Sequence, residues 1–304
     1  MAKPIDRFRD PLYINWLKAA RALFCTAEGI RDFCERHMKE YQKDVISRLK
    51  CPTDTCTGGT GLCKDCEVLW KKELTSQIHT KTSPCWKNAN VTIWDSSAWE
   101  VAKVYMTHGQ KKVRSAAETD VVGLMQLVHT CGWFNSLVTN VKSFEKVKDI
   151  RNDVSHSVHL KVTDTQLGEY IKDMIVLLED SKELQNDKKA QTAVKELRQI
   201  QDLPLEINDT TVLQTEKDNR EVELVQIERD MWKTKLDEIN KWEPGVTKEE
   251  INHALDFISK QTDLSEIFKD DIELLKTKMY KLEKRVTETE GKKMYCFILY
   301  QRCK

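Results

Sequence analysis

Two short stretches of this chain hold residue types that can do chemistry. The first is Val147–Leu160, VKDIRNDVSHSVHL. On a helix, Val147, Ile150, Val154 and Val158 recur at spacings of 3, 4 and 4, an apolar stripe that must be buried. Asp149, Asn152, His156 and His159, at spacings of 3, 4 and 3, form a second stripe on the opposite face, with Arg151 at the border. An imidazole suits proton transfer near neutrality. A guanidinium fork suits the paired oxygens of a phosphate. Arg151 and His156 are five residues apart, about 140° around an ideal helix, so one straight helix does not aim both at the same atom. They meet if the helix is distorted, or if a second copy brings its own pair to a shared groove. The plainer reading is a solvated helix face that holds two histidines.

The second stretch is cysteine-rich. Five of the ten cysteines lie within Cys51–Cys85, in the order Cys51-x4-Cys56-x6-Cys63-x2-Cys66-x12-His79-x5-Cys85. A C-x2-C pair presents two thiolates to one ion, and Zn²⁺ takes four N/S ligands tetrahedrally. Cys63, Cys66, His79 and Cys85 satisfy the spacing of a C-C-H-C zinc site, with Cys56 and Cys51 as substitutes for the fourth ligand; unliganded cysteines are the alternative. Trp70 stands where a ββα finger keeps its aromatic. Ser76, however, stands where such a finger needs leucine, and Trp70, Leu74 and Ile78 recur every four positions, which predicts a helix after Cys66. The expectation is a zinc-stapled insert that does not read DNA. A redox C-x-x-C needs a βαβ setting, and a RING domain needs about eight ligands; the pattern supplies neither.

Arg151-Asn152-x-x-x-His156 resembles the R-N-x-x-x-H signature of HEPN domains, all-helical modules often found as RNA-cleaving toxins and RNA-processing nucleases. The setting adds to it: VVGLMQLVHTCGWF, then the histidine stretch, then TDTQLGEYIKDMIVLLED. That order resembles the HEPN domain of the DAZ-interacting zinc-finger ubiquitin ligase type, and the cysteine-rich part with WEVAKVYMTHG resembles one branch of it. The resemblance covers roughly residues 10–185, with specific motifs only between Cys63 and His156. It implies a metal-independent endoribonuclease, or an RNA-binding protein, with a composite site across a homodimer. His156 would move protons at the 2′-OH and the leaving oxygen, Arg151 would hold the phosphate, and Asn152 would orient the imidazole or bind phosphate. His159 lies outside the motif. HEPN domains also exist as catalytically silent interaction modules, which gives the alternative of a protein-binding scaffold. Ubiquitin-ligase activity does not carry over, for want of RING ligands.

The elements that must position these residues are helices. Pro11 after Asp10 opens one with Tyr13, Trp16, Leu17, Ala20 and Leu23 on a single face. Ile30, Phe33, Cys34, His37, Tyr41 and Val45 extend it to about residue 49, with Gly29 as the point where it can bend and His37 as a satisfied core histidine. Ser97-x-x-Glu100 is a capping box. Thr119 or Asp120 caps the next helix, and Gly132 ends it. Thr163-x-x-Gln166 caps a helix carrying Leu167, Tyr170, Ile171, Met174 and Leu178, and a further one buries Ala190, Val194, Leu197 and Ile200. The organisation read from this is all-α: a HEPN-like helical bundle over 1–202 with the cysteine-rich insert at 51–94, a linker at 203–218 around Pro204, and a helical, coiled-coil-like region over 219–304. That last region reads as three amphipathic helices. Pro244-Gly245 closes the first, and Thr247-x-x-Glu250 caps the second. The third carries Leu264, Phe268, Ile272, Leu275, Met279, Leu282 and Val286. These helices are a candidate surface for a protein partner.

Composition narrows the class. Ten Gly, six Pro and 32% charged residues in 304 fit a mostly helical chain. The net charge is zero but uneven: residues 1–160 hold 24 Lys and Arg against 18 Asp and Glu, and the rest 25 against 31. A mildly basic front half tolerates a polyanion such as RNA without demanding one. The absence of G-x4-G-K-[ST] excludes P-loop enzymes. The first residues, MAKPIDRFRD, lack an apolar signal core, and the longest apolar run, Met294–Tyr300, is far below the roughly 20 residues of a membrane span. The expectation is an intracellular, cytoplasmic protein with no membrane partner, whose cysteines stay reduced.

Overall fold

The computed structural model describes residues 6–51, 61–157, 159–202, 214–241, 248–277 and 279–280. It is an all-α helical bundle. Among the described residues the only extended pairing is one isolated antiparallel bridge, Ile78 to Cys131. The chain divides into two compact units, Met1–Glu228 and Arg229–Lys304.

The first unit is built on α1 (Pro11–Arg48), a 38-residue helix, about 57 Å long at 1.5 Å per residue. Its start follows local chemistry: the Asp10 carboxylate accepts from Leu12 N at 3.0 Å, and Pro11 occupies a position whose N–H has no helical partner. Trp16, Leu17, Ile30, Phe33, Tyr41 and Val45 are fully buried along it. Carboxylates of Glu40 and Glu183 lie 2.7 and 3.0 Å from the two ring nitrogens of buried His37. Packed on α1 are α3 (Ala98–Ala102), α4 (Val121–Thr130), α5 (Lys142–Ser155), α6 (Asp164–Leu178) and α7 (Lys188–Asp202). Helix α1 runs unbroken through Gly29. The glycine serves close packing there, since an added Cβ would meet Ala193 Cβ at 2.8 Å and Leu178 Cδ2 at 2.9 Å.

The insert contributes α2 (Lys64–Ser76) and two 3-10 turns, Trp86–Asn88 and Val91–Ile93. Trp94 is fully buried, with Trp70 and Trp86 at ring distances of 6.1 and 5.8 Å. Gln42 Nε2 donates to Trp94 O at 2.7 Å, and Tyr105 OH donates to Leu74 O at 3.0 Å, so polar bonds as well as tryptophans fasten the insert to the bundle. Ser97 caps α3, accepting from Glu100 N, but the expected box is only half formed: the Glu100 carboxylate accepts instead from Asn90 N at 2.6 Å and from Lys103 Nζ. Asp120 caps α4, accepting from Gly123 N at 2.6 Å; Thr119 Oγ1 instead accepts from Trp99 Nε1. α4 ends at Thr130, and Gly132 N donates to Gln77 O at 2.6 Å, where a Cβ would stand 2.9 Å from that oxygen. Thr163 and Gln166 form a reciprocal capping box on α6.

Helix α8 (Gln214–Lys241) begins inside the stretch expected as a linker, and the division between units falls within it, after Glu228. Pro204 and the rest of 203–213 lie outside the described residues. The second unit buries Trp232, Leu236 and Ile239 of α8, Ile251, Ala254 and Ile258 of α9 (Lys248–Lys260), and Leu264 of α10 (Thr262–Ile267). Trp232 stacks on Phe257 at 5.2 Å. The long third stripe is interrupted at Phe268 (φ −103°, ψ 24°), yet Phe268 N still donates to Leu264 O and Ile272 N to Phe268 O, both at 2.9 Å. The stripe therefore stays in register, and Phe268, Ile272, Leu275 and Met279 are buried. Leu282, Val286, Pro244, Gly245, Thr247, the side chain of Glu250 and Met294–Tyr300 lie outside the described residues. Among the described residues no helix is long and apolar enough to cross a membrane.

Candidate functional site

The R-N-x-x-x-H residues lie at the C-terminal end of α5. The apolar stripe behaves as its period requires: Phe144, Val147, Ile150 and Val154 are buried. The helix, expected to reach Leu160, stops at Ser155, and His156 is its C-cap (φ −92°, ψ 3°). The cause is tertiary. Trp16 Nε1 on α1 donates to Val154 O at 2.9 Å, and Val162 N donates to Leu12 O at 3.0 Å, so the chain must turn back towards α1 immediately. Leu160 takes the turn at φ +52°, the one positive φ among the described non-glycine residues, a conformation that costs an L-residue about 1–2 kcal/mol. It is held there by burial. Val158 lies outside the described residues.

The early stop changes the geometry of the motif. The 140° separation assumed helical backbone through His156, and that backbone ends one residue earlier. The Asn152 side-chain oxygen accepts from Arg151 Nη1 at 3.4 Å, while its backbone carbonyl accepts from His156 N at 2.8 Å, the bond that closes the last turn of the helix. Asn152 and His156 are half-buried, while Asp149 and His159 are exposed. Arg151 is buried, at 6% exposure. Next to this cluster, Tyr170 OH donates to Asp153 at 3.4 Å; burial and that carboxylate push the phenol above its ordinary pKa. His159 is thus exposed, His156 half-buried and Arg151 buried.

A second cluster lies at the α1–α2 junction. Cys51, Cys63 and Cys66 place their sulfurs within 4.8 Å of one another, a group that could hold a metal ion. Cys63 is the N-cap of α2, and its sulfur accepts from Cys66 N at 3.4 Å. Cys51 follows the end of α1, 3.8 Å from the Cys63 sulfur. Cys66 is buried and the other two are half-buried. Gly61 brings the chain into this junction at φ +86°, where a Cβ would stand 2.6 Å from Thr92 O. Cys56 lies outside the described residues.

His79 and Cys85, expected as the other two ligands, keep different company. The His79 ring is 6.2 Å from that of His129, and partial burial together with His129 holds its pKa below the ordinary imidazole range. Cys85 Sγ lies 3.0 Å from His108 Nδ1. Burial pushes the Cys85 thiol up, against the backbone N–H groups of Asn88 and Lys87, which stabilise its thiolate. Sequence reasoning passed over His108. Its only local signal is the Thr107-His108-Gly109 turn, where Gly109 has φ +99°. The remaining described cysteines are packing residues: burial pushes Cys25 and Cys131 up to about 12, and Cys34 also upward.

Among known proteins, a family model described as "Domain of unknown function (DUF4559)" matches residues 7–294. No curated protein and no solved structure matches the chain.

Proposed function

Because the chain belongs to the DUF4559 family, whose description assigns no chemistry, we propose its function from its own residues: a zinc-bearing helical interaction module of HEPN type. The observation that carries this reading is the burial of Arg151. A guanidinium that grips phosphate presents its fork to the ligand, whereas this one is buried with Nη1 on Asn152. In this reading Arg151 and Asn152 brace the last turn of α5, and His156 closes it. The face that carries Asn152, His156 and His159 receives a second copy of the chain, and the helices of the second unit offer a surface to another protein. The ion is Zn²⁺: thiolate donors select a soft metal, and zinc serves structurally without redox chemistry. The compartment is the reducing cytoplasm, where such thiols remain available to metal.

One observation favours a second reading, the nuclease. Arg151 Nη1 donates to the Asn152 side-chain oxygen, and His156 stands half-buried at the C-cap one turn on, so the three motif residues share the last turn of α5. A second copy would then complete a metal-independent endoribonuclease in which His156 moves the protons and Arg151 steadies the phosphate of single-stranded RNA. Wild type, His156→Ala and Arg151→Ala, assayed on such RNA without added metal, separate the two. Circular dichroism monitors folding, and sedimentation monitors self-association. The module reading expects equal, background cleavage by all three, a lower melting temperature for Arg151→Ala and weaker self-association for His156→Ala. Cleavage to a 2′,3′-cyclic phosphate that is lost in folded His156→Ala would overturn it and establish the nuclease.

A further inference from the structure

We propose that Cys51, Cys63 and Cys66 supply three of the four donors to the zinc in that reading, and that His79 and Cys85 are not among its ligands. The inference rests on the zinc reading and adds where the ion sits and what it ties together. A tetrahedral zinc with Zn–S bonds of 2.3 Å has sulfur–sulfur edges of about 3.8 Å. The Cys51 and Cys63 sulfurs are 3.8 Å apart, and Cys66 completes the triangle within 4.8 Å. A disulfide does not account for that spacing, because its sulfurs sit at about 2.05 Å. Nor does apolar packing, since Cys51 and Cys63 are only half-buried.

The junction is organised towards thiolates. Cys63 caps the N-terminus of α2, where the backbone N–H groups and helix dipole favour negative charge, and Cys66 N already donates to its sulfur. The three sulfurs come from the end of α1, the cap of α2 and the first turn of α2. Arg48, the last residue of α1, bonds Glu73 of α2 at 2.8 Å, a further link between the two helices. The positive φ of Gly61, pressed on Thr92 O, sets the path by which the chain returns to Cys63. His79 and Cys85 are each described, and neither reaches the cluster. The ion closes the chain between Cys51 and Cys63 and fixes the start of α2, the helix whose Trp70 packs on Trp94.

The test uses the full chain purified without chelator, with zinc per chain measured by elemental analysis. Wild type should carry about one zinc. Loss of a direct ligand should exceed the roughly 10–100-fold that outer-shell changes cost in affinity. Cys51→Ser, Cys63→Ser and Cys66→Ser should therefore lose the ion, while His79→Asn and Cys85→Ser keep it. A readout on wild type alone guards against variants that fail to fold: mass-mapped alkylation before and after chelation. Chelation should expose Cys51, Cys63 and Cys66 and leave Cys85 labelling unchanged. If zinc protects Cys85 and not Cys51, or if Cys85→Ser empties the site while Cys51→Ser does not, the donor set is wrong and the zinc reading stands. A wild-type chain that neither retains nor takes up zinc sinks the zinc reading itself.

Discussion

Gly29→Ala tests how closely α1 rests on α6 and α7, because two effects of known size oppose each other there. Alanine in a helix interior is favoured over glycine by about 0.8–1.0 kcal/mol. Against that, the new methyl would stand 2.8 Å from Ala193 Cβ, 2.9 Å from Leu178 Cδ2 and 3.5 Å from Ala190 Cα. Carbon atoms pack best at about 3.5–4.0 Å. The Leu178 methyl is the far end of a side chain and can swing away. Ala193 Cβ moves only with the backbone of α7, so that helix must retreat by about 1 Å at the crossing. Overpacking of this kind costs about 1–3 kcal/mol. The expected net is a loss of about 1 kcal/mol, or about 2–4 °C in melting temperature for a unit of this size. Urea unfolding followed by far-ultraviolet circular dichroism measures it as a lower midpoint at unchanged slope. Ala193→Gly in the Gly29→Ala background removes the obstructing methyl, so the two changes should couple by about 1 kcal/mol. A raised midpoint for Gly29→Ala, or strict additivity of the pair, would refute the claim that this crossing needs glycine.

Three further outcomes follow, two of them from buried groups. Glu228 is fully buried, bonded by Arg7 through two nitrogens and by Tyr13 OH at 2.6 Å. Glu228→Ala leaves the Arg7 guanidinium, itself 7% exposed, without that carboxylate, and should cost about 3–5 kcal/mol. Asp256→Ala, which breaks the exposed pair with Lys260, should cost under about 0.5 kcal/mol in the same denaturant titration. Cys25 and Cys131, pushed up to about 12, hold about one thiolate in ten thousand at pH 8. Native protein at that pH should leave them and Cys34 unlabelled by a disulfide reagent, while all ten cysteines react in denaturant. Fast native labelling of Cys131 would show that its burial is not maintained in solution.

Helix starts were legible because their chemistry is local. Asp10 with Pro11, Ser97, and Thr163 with Gln166 all cap where spacing places them, although the Glu100 carboxylate accepts from Asn90 N and Lys103 and so does not complete a box with Ser97. At α4 the alternatives Thr119 and Asp120 needed the structure, since Thr119 is engaged by Trp99 from 20 residues away. The end of α5 was not legible at all. Nothing within Val147–Leu160 indicates that Trp16, 138 residues earlier, accepts the role of partner to Val154 O and stops the helix before His156.

The cysteine cluster follows the same division. Cysteine spacing pointed to the insert and to Cys63 and Cys66, because a C-x2-C pair at a helix start converges by local geometry alone. Choosing among Cys51, His79 and Cys85 depends on how α1, α2 and the 3-10 turns pack. That packing brings Cys51 to the pair, His79 to His129 and Cys85 to His108. By itself, then, the sequence determined the all-α class, the stripes that face the core, and most caps. These are properties of neighbours within a few residues, governed by the helical period and by the first unpaired backbone groups. Only the tertiary structure decided where α5 ends, that Arg151 is buried, that Gly29 is a contact point, and which cysteines meet. Each of those depends on atoms that are distant in the chain, and pairwise periodicity carries no information about which distant surfaces come together.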